Sequence, residues 1–125
     1  MKKQLTKAEE ELMEHLWRAE KALMKELIEA YPEPKPATTT IATLLKRMQE
    51  KQFVGYTQVG RSREYFPLVK KKDYFSQHIK GLIKGFFNNS ASQFVSFFTK
   101  ETDLNREELE ALKKLIDEQI KKTEE

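Results

Sequence analysis

Apolar positions along this chain change period twice, and the changes mark out its elements. Thr6 followed three residues later by Glu9 has the form of a capping box, and Ala8, Leu12 and Leu16, with Met13 and Trp17 beside them, make one apolar face. This predicts a helix to about Arg18. Leu23, Met24, Leu27, Ile28 and Tyr31 again recur at helical spacing, but Leu23 is a poor N-cap, so the start of a second helix is open by a turn. Pro32, Pro34 and Pro36 cannot continue it and predict a stiff, extended loop. Thr38 or a neighbouring threonine then caps a third helix, on which Ile41, Leu44, Leu45 and Met48 form the stripe up to Lys51. The period next falls to two. Val54, Tyr56 and Gln58 alternate with Gly55, Thr57 and Val59, and Glu64 to Val69 is rich in β-favouring residues, so two short strands flank a turn at Gly60-Arg61-Ser62-Arg63. Pro67 ends the second strand or puts it at an edge.

The remainder is helical in pattern: Asp73 to Lys84, about Ser90 to Thr99, and Asn105 to about Lys122, where Asn105 and Glu108 repeat the capping box. Leu109, Leu112, Ile116 and Ile120 form the last stripe. Five phenylalanines, Phe86, Phe87, Phe94, Phe97 and Phe98, crowd the segment before it. Short helices cannot bury that much aromatic surface among themselves, and a second copy of the chain is the economical cover, the alternative being that these Phe pack back onto the first domain. Three helices followed by a hairpin is the order of a winged helix-turn-helix module. The expected fold class is mostly α with a small β-hairpin: a winged helix DNA-binding domain over 1–70 and a C-terminal helical dimerisation segment over 71–125.

Composition narrows the chemistry. The 125 residues are 38% hydrophobic and 34% charged, which fits a single modest core under a charged surface. No apolar run approaches the roughly 18 residues of a membrane span, and charged residues fill the start of the chain, so a cytoplasmic protein with no direct membrane insertion is expected. The absence of Cys removes disulfides, thiolate nucleophiles and cysteine-ligated metals. His15, His78 and three aspartates offer no catalytic set, and neither an enzyme nor a metal or other cofactor is expected. Net charge is only +3, yet residues 9–33 carry a net −5 and residues 46–72 a net +6. A basic block on one side of an acidic one suits a polyanionic partner.

LTKAEEELMEHLW near the start, TTTIATLLKRMQEKQFV across the third helix, GRSREYFPLV at the wing and FVSFFTKETDLNREELEALKKLI near the end together resemble the penicillinase repressor (BlaI/MecI-type) family of bacterial winged-helix transcriptional repressors. The resemblance spans nearly the whole chain. It implies a homodimer held by its C-terminal helices on double-stranded DNA with an inverted-repeat operator. It also implies a membrane-bound sensor metalloprotease as partner, which cuts the repressor in its C-terminal region. The pair aligned with the family's cut is Phe97-Phe98, whereas the family has Asn-Phe there. Thr38, Thr39, Thr40 and Ala42 stand where better-known members carry basic residues.

The candidate site follows from how DNA is read. Base edges in a major groove meet side chains near the N-terminal end of the inserted helix, here Thr38, Thr39, Thr40 and Thr43. A threonine can hydrogen-bond a base and pack its methyl on thymine, or it can do no more than cap the helix. Lys46 and Arg47 are better placed for phosphate. Arg61 and Arg63 at the wing lie along the backbone, enter a minor groove, or are merely solvated. The candidate dimer residues are Phe86, Phe87, Phe94, Phe97, Phe98, Leu109, Leu112 and Ile116. An alternative is a protein-interaction module built on a winged helix that no longer binds DNA, which leaves the basic block without a role. An RNA-binding winged helix is a weaker alternative, since few aromatics fall on the reading face.

Overall fold

The computed structural model describes residues 4–124 and packs as two units, Met1–Ser76 and Gln77–Glu125. The division falls inside a helix. The first unit contains helices α1 (Lys7–Ala19), α2 (Met24–Glu29) and α3 (Thr38–Glu50) and strands β1 (Ala22–Leu23), β2 (Val54–Val59) and β3 (Ser62–Pro67), and takes the start of α4 (Lys71–Phe86) as far as Ser76. The second contains the rest of α4 with α5 (Ala91–Glu101) and α6 (Arg106–Thr123).

Helix α1 starts as its sequence dictates. The Thr6 hydroxyl accepts from the Glu9 backbone N–H at 3.2 Å, and the Glu9 carboxylate accepts from the Thr6 N–H at 2.7 Å. Its apolar face, Leu12, Met13 and Leu16, packs with Leu27, with Ile41, Leu44, Leu45 and Met48 of α3, with Phe53, and with Val54 and Tyr65 of the sheet to make one core. Trp17 pins the far end, donating from its indole N–H to the Val69 carbonyl at 2.8 Å.

The sheet differs from a bare hairpin. It is three-stranded and antiparallel in the order β1-β3-β2, because Ala22 and Leu23 pair with Tyr65 and Glu64. That pairing also explains the start of α2: Leu23 is its N-cap, held extended by β3, while Glu26 accepts from the Leu23 N–H at 2.7 Å. In the hairpin Val59 faces Ser62, so the turn is only Gly60-Arg61, and Ser62 and Arg63 belong to β3. Gly60 has φ +62°, which suits the first position of a two-residue II′ hairpin turn.

Helix α3 corrects a second expectation. Its N-cap is Ala37, which follows Pro36 in extended conformation and makes no side-chain cap; Thr38 is the first helical residue. In the second unit, Phe87 contacts Phe94 and Phe97 with ring centroids 5.5 and 5.6 Å apart, and Phe94 stacks on Phe98 at 6.4 Å. Helix α5 is capped by Ser90 and α6 by the Asn105–Glu108 capping box.

Candidate nucleic-acid interface

Because Ile41, Leu44, Leu45 and Met48 turn α3 toward the core, the 3.6-residue period puts Thr39, Thr43 and Lys46 on the opposite, exposed face. Thr40 and Arg47 lie on one flank of that face, and Thr38, Ala42 and Gln49 on the other. Thr38, Thr39 and Thr40 are exposed, and no side chain caps the turn they form. Thr43 differs from them: its hydroxyl donates to the Thr39 carbonyl at 2.9 Å, leaving its oxygen lone pairs and methyl for any partner.

On the Ala42 flank a groove opens between α2, α3 and the wing. It is lined by Leu23, Met24 and Lys25 from the α2 start, Ala42, Lys46 and Gln49 from α3, and Tyr56, Arg61, Ser62, Arg63 and Tyr65 from the hairpin. The structure thus brings Lys46, Arg61 and Arg63 together and leaves Arg47 outside the groove. None of Lys25, Lys46, Arg61 and Arg63 forms an ion pair among the described residues. Four unpaired cations beside an exposed helix face make an anion-attracting edge.

The basic block as a whole is smaller than its charge count. Lys51 is a structural residue: its ammonium meets the fully buried Glu9 carboxylate at 2.6 Å and donates to the Gln4 carbonyl at 3.0 Å. Burial by itself pushes the Glu9 carboxyl up, and the hydrogen bonds from Lys51 and the Thr6 backbone, with the Lys51 charge, reverse this and leave it lowered from 4.5. Lys71 pairs with Glu14 at 2.7 Å. Both lysines therefore face the acidic first helix.

Sequence reasoning missed Lys25 and Tyr56. Lys25 was masked by the acidic segment in which it lies. Tyr56 was legible in principle, since antiparallel pairing puts it on the same hairpin face as Arg63, and the guanidinium carbon sits 4.2 Å from its ring centroid. His15 is half-buried with its ring 4.4 Å from that of Tyr31, a packing contact.

The expected dimer residues divide by exposure. Phe86 is 79% exposed and Phe97 54%, and Phe98, Leu109 and Ile116 are also exposed, whereas Phe87, Phe94 and Leu112 are half-buried. Phe97 and Phe98 lie within α5, so the bond between them is helical. No helix among the described residues is long and apolar enough to cross a membrane. Among the same residues no group of three or more His, Asp or Glu is placed to hold a metal ion.

A family model described as penicillinase repressor matches residues 5–118. Among solved structures, the chain is similar to the solution structure of the Bacillus licheniformis BlaI monomeric form in complex with the blaP half-operator, at 27% identity and TM-score 0.50, covering 59% of this chain and 92% of that one. No curated protein sequence matches.

Proposed function

The chain belongs to the penicillinase repressor family and is a DNA-binding transcriptional repressor, and from that premise we propose that it holds an inverted-repeat operator as a homodimer until its C-terminal helices are separated. DNA binding is assigned to residues 1–70 and dimerisation to residues 71–125. The observation that carries the DNA interface is the groove in which Lys25, Lys46, Arg61 and Arg63 stand unpaired beside the exposed face of α3. Thr38, Thr39, Thr40 and Thr43 read base edges, and the uncapped α3 N-terminus favours a phosphate. Lys46 on the exposed face and Arg47 on its flank grip phosphates, and Arg61 and Arg63 hold the backbone from the wing.

Dimerisation is supported by the exposed apolar side chains of α4, α5 and α6, which water would otherwise cover. Linking two readers makes the second half-site contact intramolecular, which raises affinity roughly 100- to 10,000-fold. Separation of α6 from the rest releases DNA without touching a DNA contact. The candidate event is cutting at Phe97-Phe98 by a membrane-bound sensor metalloprotease. Since that bond is helical, α5 must unwind locally before a protease can hold it extended.

The test is fluorescence anisotropy on a duplex carrying the promoter of the protein's own transcription unit, with light scattering on the same samples. The expected result is a dimer that prefers this duplex over random sequence, and a chain truncated after Phe97 that is monomeric and weak. A stable monomer, or a truncated chain that binds as tightly as the intact one, overturns the reading.

A further inference from the structure

In the hairpin, Tyr56 faces Tyr65 and Gln58 faces Arg63, so these four side chains share one side of the two strands. Arg63 is the diagonal neighbour of Tyr56, and its guanidinium carbon lies 4.2 Å over the Tyr56 ring. The ring in turn stands 6.0 Å from that of Tyr65, which is buried in the core. Arg63 is thereby seated, through two aromatic rings, on the packed interior. Arg61 lines the same groove from the turn and has no ring contact among the described residues. A long arginine side chain without such support samples many rotamers and loses that freedom on binding.

The geometry of the contact decides what remains for a ligand. A guanidinium attracted to a ring by its flat face keeps its in-plane N–H donors free, and two of those donors match two oxygens of a phosphate. We propose that Tyr56 is a positioning residue for DNA binding: its ring holds the face of Arg63 so that the donor edge is presented to a phosphodiester in the groove shared with Lys25, Lys46 and Arg61. This rests on the DNA-binding reading above. Tyr56 itself makes no base contact in this role, and its hydroxyl is dispensable.

The experiment uses the full chain and a 30-bp duplex of random sequence, which isolates phosphate contacts from base reading. Tyr56→Leu is expected to weaken binding about 2- to 5-fold, the amount a partly exposed cation–π contact supplies. Tyr56→Phe should bind as the parent does. Tyr56→Leu should have no effect in the Arg63→Ala background and its full effect in the Arg61→Ala background. Independently of DNA, the Arg63 Cδ protons should be shifted upfield by the ring in the parent and in Tyr56→Phe, and not in Tyr56→Leu. An undiminished Tyr56→Leu effect in the Arg63→Ala background overturns the proposal while leaving the DNA reading intact, as does a Tyr56→Phe loss as large as that of Tyr56→Leu. A parent protein that shows the upfield shift yet does not bind the duplex fails the DNA reading, and the positioning role falls with it. Circular dichroism melts of each variant separate these outcomes from loss of fold; a Tyr56→Leu chain that melts earlier than Tyr56→Phe and binds more weakly in both arginine backgrounds also counts against the proposal.

Discussion

The winged unit and the C-terminal unit treat their apolar residues in opposite ways. Every buried hydrophobic side chain among the described residues lies between Leu5 and Tyr74, whereas none from residue 77 onward is buried. Yet α4, α5 and α6 carry Ile79, Leu82, Phe86, Val95, Phe97, Leu115 and Ile120 among their exposed residues. The difference is one of geometry. In the first unit α1, α3 and a sheet enclose a common interior, so each stripe has a surface to meet. Three successive helices with apolar faces, taken alone, have too few layers to do so. The winged unit encloses its own apolar residues, whereas the C-terminal unit leaves many of its own exposed.

The largest effects should come from reversing each unit's condition. In the C-terminal unit, Leu112→Asp with Ile116→Asp places carboxylates where a second copy would pack, at several kcal/mol each. Analytical ultracentrifugation should show monomers, while the thermal transition of the winged unit is unmoved. A double variant that stays dimeric would show that Leu112 and Ile116 do not form the contact between copies, and a parent that is already monomeric would show that the apolar faces close within one chain.

In the winged unit the corresponding disruption is Lys51→Met, which leaves the Glu9 carboxylate buried without its cation. Breaking a buried pair from one side costs about 3–5 kcal/mol, read as a fall in the urea midpoint. The pH dependence has a fixed sign. Glu9 is held below its ordinary 4.5 in the fold, so its contribution is full above that value and is lost as pH falls through the lower folded value. Lys51→Met should remove this contribution, and its penalty relative to the parent should shrink as the medium is acidified.

The ion pairs of Lys51 with Glu9 and of Lys71 with Glu14 also mark where sequence reading stopped. Helix starts governed by local chemistry were legible: Thr6 with Glu9 and Asn105 with Glu108 form the capping boxes their spacing implied. Features set by distant partners were not. Leu23 caps α2 because β3, some forty residues later, holds it extended. Lys51 and Lys71 counted toward the basic block until the fold set them against Glu9 and Glu14. Family motifs carried the recognition of the whole, but no local rule could assign Lys25 to the groove, because that depends on how three elements meet, and pairing Arg63 with Tyr56 needed the hairpin register, which the length of the turn decides.

A smaller effect sharpens the boundary between the units. Tyr74, in the first turn of α4, is buried against the winged core and donates to the Glu10 carboxylate at 2.7 Å. Burial first, and then Glu10, push its hydroxyl up to about 12. The unfolded chain loses that proton near pH 10, so stability should fall as pH rises from about 10 to 12. Tyr74→Phe should cost about 1 kcal/mol at neutral pH through the lost hydrogen bond and should flatten part of this alkaline loss. An unchanged alkaline profile would mean that the Tyr31 hydroxyl, also pushed up to about 12 by burial, accounts for it alone.

The smallest effect on stability belongs to an exposed position of the winged unit, where a substitution should touch neither folding nor association. The Thr43 hydroxyl already donates to the Thr39 carbonyl, so toward DNA it offers a methyl and an acceptor but no donor. Thr43→Val keeps a methyl at both branches and removes the hydroxyl; Thr43→Ser keeps the hydroxyl and removes the methyl. If the methyl packs on a thymine, Thr43→Ser should change preference among operator variants by roughly 1 to 3 kcal/mol at one base pair, and Thr43→Val by less than about 0.5 kcal/mol. Both should leave the urea midpoint and the dimer unchanged, since surface substitutions usually stay within about ±0.5 kcal/mol. The reverse order would mean that the hydroxyl accepts from a base amino group. Equal and small changes on operator and random duplex alike would remove Thr43 from the reading face and leave Thr39 and Thr40 to carry it.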